Sequence, residues 1–252
     1  MKNKILGIVG SNNKKSFTNL LVDALFEEIK MLDKRFQTKI ICLSDYKIDY
    51  CIGCITCFLN GFCPLDKDDD FKIIRRELLE SDIIFFASPV YIHNVPGKMK
   101  TFFDRISSYT HLLSYAGKIG FTLTATDNNG EDYVKDYLTK IQKVLGIKNL
   151  DNYIFKNINN NLEQFVQTNA NKTLKCLEDN YGYTDRSLES YFNYLKDCYH
   201  GKINSSLQQE YFELSYWNRP WIKECKSFQE FASKNGKIQG FKNNGGVEFD
   251  NQ

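Results

Sequence analysis

The chain has no apolar run long enough to span a membrane and almost no net charge. Thirty-three basic residues stand against 31 acidic ones, a formal charge of +2 at neutral pH. That balance lacks the basic excess of a nucleic-acid surface, and neither nucleic acid nor membrane is expected as a partner. The opening MKNKILGIVGS is basic and then apolar, but it has neither a long hydrophobic core nor a small-residue cleavage site. It therefore reads as a first core strand, not a secretion signal. Histidine is scarce, and His111 and His200 show no ligand spacing. Two phosphate-binding patterns are also missing: G-x-x-x-x-G-K-[ST] of nucleoside triphosphate loops and G-x-G-x-x-G of dinucleotide folds.

Cysteine, by contrast, is plentiful and concentrated. Four of the eight lie in CIGCITCFLNGFCP, as Cys51, Cys54, Cys57 and Cys63, with the spacing C-x2-C-x2-C-x5-C and Pro64 after the last. Zinc sites usually pair cysteines across a longer loop. A compact triple with a nearby fourth cysteine followed by proline is closer to iron–sulfur ligation. As the chain has one such run, all four thiolates would serve one cubane cluster. Zinc, or metal-free thiols cycling with a disulfide, are the alternatives. Gly53 and Gly61 let the loop bend. Cys42 and Cys198 fall on apolar faces and read as buried thiols. Eight cysteines without a secretion signal point to a reducing, cytoplasmic compartment.

Strand and helix patterns alternate through the first three-fifths of the chain. Apolar runs at 4–10, 38–43, 81–91, 118–126 and 150–155 read as strands, the third ended by Pro89. Helical spacing appears between them: in Leu20, Leu21, Ala24, Leu25 and Ile29; after the acids at 68–70; after Pro96; and over 131–145. Five strands alternating with helices imply a doubly wound parallel sheet, α/β in class. With an anion-type loop after strand one, the expected strand order is the flavodoxin-like 2-1-3-4-5. Residues 1–158 are read as this domain and 159–252 as a helical, tyrosine-rich extension. In the extension Leu188 to Tyr199 form one apolar stripe, and a second helix is expected over 205–217. These stripes are expected to pack on the core or on a second subunit. The other reading makes Tyr216, Trp217 and Trp221 a roof over a substrate. Residues 241–252 read as a frayed end.

Three loops meet at the carboxyl edge of such a sheet, where ligands of open α/β folds sit. The first, residues 10–18, brings Ser11, Asn12, Ser16, Phe17 and Thr18 to a helix N-terminus, a ready anion site. The second brings Pro89, Val90, Tyr91, Ile92, His93 and Asn94, which can cradle a flat ring. The third offers Thr126 and Asn128 as rim contacts. His93 reads as a hydrogen-bonding loop residue ahead of an acid–base group. Asp66 to Asp70 read as a solvated acidic turn starting a helix.

The GS…S-x-T loop, the segment SPVY…N-VPG-K-K ending at Asp104 and Arg105, and the cysteine run followed by Asp68 and Asp69 resemble the NADPH-dependent FMN reductase superfamily, and within it the iron–sulfur flavoprotein branch. The resemblance covers residues 1–158. It implies FMN, a [4Fe–4S] cluster on the four cysteines, electron transfer between the two, NAD(P)H or a redox protein as partner, and assembly into dimers or tetramers. No protein nucleophile or general base is implied, because the cofactor carries the chemistry. The chain departs from the pattern in having Asn12 and Asn13 where relatives often carry Pro-Arg, with Lys14 or Lys15 as replacement cations. It also has Ile92 where an aromatic is common, and it lacks paired glycines after strand four. Two other readings are a non-enzymatic electron carrier and a metal-free NAD(P)H-dependent FMN or quinone reductase.

Overall fold

The computed structural model describes residues 3–158, 160–200 and 211–240, with side chains through Asn235. In chain order the elements are β1 (Asn3–Val9), α1 (Phe17–Leu32), β2 (Phe36–Cys42), α2 (Thr56–Asn60), α3 (Phe71–Glu80), β3 (Ile83–Pro89), α4 (Gly97–Arg105), α5 (Ser107–His111), β4 (Ile119–Thr126), α6 (Glu131–Val144) and β5 (Lys148–Lys156). Then follow α7 (Leu162–Glu178), α8 (Arg186–His200), α9 (Phe212–Trp217), α10 (Pro220–Glu224) and α11 (Phe228–Gly240). All strand pairs are parallel, and the order is β2-β1-β3-β4-β5, as expected from the alternation.

Strand side chains alternate between two cores, because successive residues point to opposite faces. Ile5, Val9, Phe85 and Phe121 face α1 and α7; Leu6, Ile8, Ile84 and Phe86 face α3, α4 and α6. On β4 the second face is small and polar. A β-carbon at Gly120 would lie 2.5 Å from Gln142 Oε1, and Gln142 Nε2 donates to the Phe121 carbonyl at 2.8 Å. That close approach lets α6 lie flat on the sheet.

Helix α7 carries no stripe that the sequence reading used, yet it completes the first core. Phe165, Val166 and Ala170 pack there with Tyr153 and Phe155, and the Phe155 and Phe165 rings stand edge-on, 5.1 Å apart. The rest of the extension builds a third core on Leu112, Leu113 and Ala116. Leu188, Phe192, Leu195 and Tyr199 of the anticipated stripe are buried in it. Trp217 is fully buried and Tyr216 nearly so, and Trp221 packs on the same cluster. The roof reading is therefore corrected: Tyr216 and Trp217 are core, and the half-buried Trp221 packs against it. Within the expected helix 205–217 the structure has α9; residues 201–210 and the end at 241–252 lie outside the described residues. Cys42 and Cys198 are only half-buried, and Cys225 is the buried thiol of the extension. Among the described residues no helix is long and apolar enough to cross a membrane.

Candidate functional site

The strand order reverses direction between β1 and β3, and the loops gather at the carboxyl ends of those strands. Gly10 leaves β1 with its N–H on the Ala87 carbonyl at 2.8 Å. A β-carbon there would lie 2.8 Å from Met99, so glycine lets α4 close on the first loop. Within that loop Ser11 Oγ accepts from Asn13 N at 3.2 Å and is buried. Ser16 caps α1, its Oγ accepting from Asn19 N at 3.2 Å. The N–H groups of Phe17 and Thr18 belong to the helix start, where backbone donors have no intrahelical partner. Asn12 and Phe17 are exposed; Thr18 is buried beneath them. Lys14 is tied to Asp45 at 2.5 Å and does not point freely into the loop. A cleft of about 530 Å³ beside this loop is bounded by Lys15, Ser16, Asn19 and Cys42. A larger cleft, about 830 Å³, lies at the opposite ends of the strands, among Lys4, Lys39 and Ser81, away from every candidate residue.

The second loop is a tight turn. Tyr91 and Asn94 exchange backbone hydrogen bonds at 2.8 and 3.1 Å, and both residues between them have positive φ, 48° at Ile92 and 54° at His93. A β-branched residue there is strained, and Ile92 is 99% exposed, so no packing compensates it. The His93 ring stacks on Tyr133, with centroids 5.3 Å apart. Val90 N donates to the Ala125 carbonyl, which ties the turn to the end of β4. Pro89 ends β3. The third loop touches the second through Gly130, where φ is +82° and a β-carbon would lie 2.7 Å from His93 Cδ2. In it Thr126 Oγ1 donates to the Asn129 carbonyl at 2.9 Å, and Asn128 is exposed. Ser11 to Thr18, Pro89 to Asn94, and Thr126 with Asn128 thus occupy one edge of the sheet.

The cysteine loop follows β2 on the same edge. Cys51 and Cys54 are exposed; Cys57 and Cys63 are half-buried. Burial pushes the Cys57 thiol up, against a hydrogen bond with Ser108, and Cys57 lies within electrostatic range of Cys63 and Cys51. Burial also raises Cys63, while a backbone N–H from Leu65 and the Arg105 guanidinium oppose the rise. Cys54 is shifted the other way, because the Thr56 hydroxyl and backbone stabilise its thiolate. A single tetrahedral ion would draw its sulfurs to within about 4 Å of one another. Among the described residues no three His, Cys, Asp or Glu side chains form a group that could hold a metal ion. In chemistry the donor set fits an iron–sulfur cluster: four thiols on one loop, one thiolate favoured by a hydroxyl, one beside a cation.

Behind the loop lies a charged network that the sequence reading missed. Arg105, fully buried, pairs with the equally buried Asp69 and donates to Asp66 Oδ1 at 2.9 Å and to the Asp49 carbonyl at 3.1 Å. Its plane lies 4.8 Å from the Phe71 ring centre, and its Nε has no acceptor. Arg75 donates to the other Asp66 oxygen at 2.5 Å. The acids after the cysteine run are therefore not simply a solvated helix start. Asp69 does accept from Phe71 N at 3.0 Å, but Asp70 makes no side-chain cap, and α3 begins at Phe71. The usable signal was Asp66 and Asp69 at i,i+3 together with an arginine ending the apolar face of α4.

The sequence profile of the NADPH-dependent FMN reductase family matches residues 3–159. An iron–sulfur flavoprotein of Archaeoglobus fulgidus is 35% identical over 145 residues, which cover 57% of this chain and 64% of that protein. One from Methanocaldococcus jannaschii is 31% identical over 131 residues, 51% of this chain and 66% of that one. The chain thus spans a little under two thirds of the length of these relatives. Among solved structures, the NAD(P)H:quinone oxidoreductase of Methanothermobacter marburgensis superposes with a TM-score of 0.54 at 15% identity, covering 72% of this chain and 98% of the other. At that identity the likeness speaks for the fold alone.

Proposed function

Since the chain belongs to the NADPH-dependent FMN reductase family, we propose that it is an FMN-dependent oxidoreductase that passes electrons between FMN at the strand edge and a [4Fe–4S] cluster on Cys51, Cys54, Cys57 and Cys63. One observation carries the pairing of the two sites. Helix α4 begins at the ring loop, after Pro96, and ends in Arg105, whose guanidinium acts on Cys63. Its nine residues are about 13.5 Å long at 1.5 Å per residue, so one rigid element joins the two proposed sites. Lys100, midway along it, lies within electrostatic range of Cys51.

When bound, FMN supplies one- and two-electron chemistry and the cluster single-electron steps. The chain's own part is to bind and orient. In this reading Ser11, Asn12, Ser16, Phe17 and Thr18 hold the phosphate; Pro89 to Asn94 hold the ring; Thr126 and Asn128 border it. Arg105 supports the Cys63 thiolate, and Thr56 that of Cys54. NAD(P)H or a redox protein is the proposed partner. Exposed Tyr50, Ile52, Ile55 and Phe62 in the segment after β2, with exposed Tyr91 and Ile92 after β3, support assembly with a second copy over this sheet edge. The cytoplasm is the proposed location, and 1–158 the proposed flavin domain.

A metal-free NAD(P)H-dependent FMN or quinone reductase is the second reading, since among the described residues no three His, Cys, Asp or Glu side chains form a group that could hold a metal ion. Anaerobic reconstitution with iron and sulfide separates the two. The expected result is about four irons per chain, as a cubane needs, with loss of iron but not of FMN in Cys54→Ser. Equal iron in both proteins, or none in either, leaves the metal-free reductase.

A further inference from the structure

The cysteine helix α2 is held between the core and the extension. On one side Cys57 bonds with Ser108 of α5, and the Phe58 ring lies 5.0 Å from His111, one turn along the same helix. On the other side stands α9. Gly61 closes α2 with φ +80° and its N–H on the Cys57 carbonyl at 3.1 Å. A β-carbon at Gly61 would lie 2.7 Å from Phe212 Cδ2, so the Phe212 ring occupies the space that any other residue would fill. The next residue, Glu213, is buried and joins both sides. Its Oε1 meets His111 Nδ1 at 2.9 Å, and its Oε2 accepts from the Tyr199 hydroxyl at 2.6 Å. Trp217 Nε1 donates to the His111 carbonyl at 2.9 Å, locking the other end of α9 to α5.

We infer that α9 is the clamp of the cysteine loop: Phe212, seated on Gly61, and Glu213, bridging His111 and Tyr199, are positioning residues that fix α2 and so set where Cys57 and Cys63 present their sulfurs. This assigns to the extension a task at the site beyond packing. It rests on the cluster reading only for what the sulfurs bind; the positioning itself concerns the chain alone.

The geometry explains why the contact is selective. A buried carboxylate with two side-chain partners and an aromatic ring wedged on a glycine both resist local opening, and local opening controls how often a half-buried thiol meets solvent. Loosening α9 therefore exposes Cys57 and Cys63. It leaves Cys42, at the end of β2, and Cys176, on α7 in the first core, as they were.

The test is site-resolved alkylation of the metal-free full chain with iodoacetamide, read by mass spectrometry, in wild type, Phe212→Ala, Phe212→Leu and Glu213→Gln. Phe212→Ala should speed modification of Cys57 and Cys63 by about tenfold, as a local opening made easier would, with Cys42 and Cys176 unchanged. Phe212→Leu should restore most of the protection. Glu213→Gln, which keeps the shape, should give a smaller rise at Cys57 and decides the matter if the alanine variant does not fold. Wild-type rates at Cys57 in both Phe212→Ala and Glu213→Gln, or a parallel rise at all four thiols, would overturn the clamp. Reconstitution with iron and sulfide runs alongside: no iron in wild type removes the cluster reading while the alkylation result still stands.

Discussion

Removing the Asp69 carboxylate tests whether the cysteine loop is anchored by buried charge. Asp69 and Arg105 have no exposed side-chain surface. Taking away one partner of such a pair leaves a charge in the interior and typically costs about 3–5 kcal/mol. Here Asp66 still accepts from Arg105 at 2.9 Å, which places Asp69→Ala near the lower end. The lost acceptor for Asp49 N and Phe71 N, each close to 3 Å, adds about 1 kcal/mol. With an m-value of about 3 kcal/mol/M, the urea midpoint should fall by roughly 1 M or more. Acid titration gives an independent check. Burial raises the Asp69 carboxyl, but Arg105 and the two backbone N–H groups outweigh it and hold the group below its ordinary value. A carboxylate depressed in the folded state lends stability that is present above its unfolded value and is lost as pH falls through the folded one. The stability gap between wild type and Asp69→Asn should therefore be constant at neutral pH and narrow only below about pH 4. A loss under about 1 kcal/mol in Asp69→Ala, or a gap that closes near neutrality, would refute the anchoring.

The double variant Ser16→Ala, Thr18→Ala should weaken FMN binding by no more than a few kcal/mol and, through the lost cap on Asn19 N, lower stability by about 1 kcal/mol; unchanged affinity by fluorescence titration removes the phosphate from this loop. Ile92→Asn should raise the melting temperature, because asparagine tolerates positive φ and an exposed isoleucine there costs about 1–2 kcal/mol; a lower melting temperature contradicts the strain. Lys118 is buried, with Nζ on the Leu79 and Ser81 carbonyls, and desolvation lowers it to about 8. The unfolded chain then binds that proton more tightly, so stability should rise between pH 8 and 10.5 by up to about 3 kcal/mol, and Lys118→Met should lack the rise in pH-resolved denaturation.

The parallel sheet was legible because its strands are buried on both faces and so read as continuous apolar runs, as in IIFFAS of β3. Helix α7 was not, because its core-facing residues Phe165, Val166, Asn169, Ala170 and Thr173 mix polar with apolar. Thr173 is buried by a hydrogen bond to the Tyr153 hydroxyl at 2.9 Å, which no hydropathy pattern reports. The same reason hid the Arg105 network. Asp66 and Asp69 look like surface acids until the fold brings an arginine from 36 or more residues away onto them. Local motifs such as the cysteine run survive in one dimension. Ion pairs between distant elements do not.

The backbone itself marks the same places. Among the described residues, the non-glycine positions with positive φ are Ile55, Ile92, His93 and Leu113. Ile55 opens α2 inside the cysteine loop, Ile92 and His93 form the turn of the Pro89–Asn94 loop, and Leu113 lies where the core meets the extension. Each such conformation costs of order 1–3 kcal/mol and persists only where its surroundings hold it. Leu113 is held by complete burial, His93 by its stack on Tyr133, and Ile55 by accepting the first two bonds of α2, from Phe58 and Leu59. Ile92 has only the Tyr91–Asn94 hydrogen bonds beneath it. An isoleucine that is both strained and bare gains nothing in the isolated chain. Contact with a ring or a second copy at that edge would supply the burial that its conformation lacks, and this is the edge on which the three loops proposed to hold FMN and the cysteines converge.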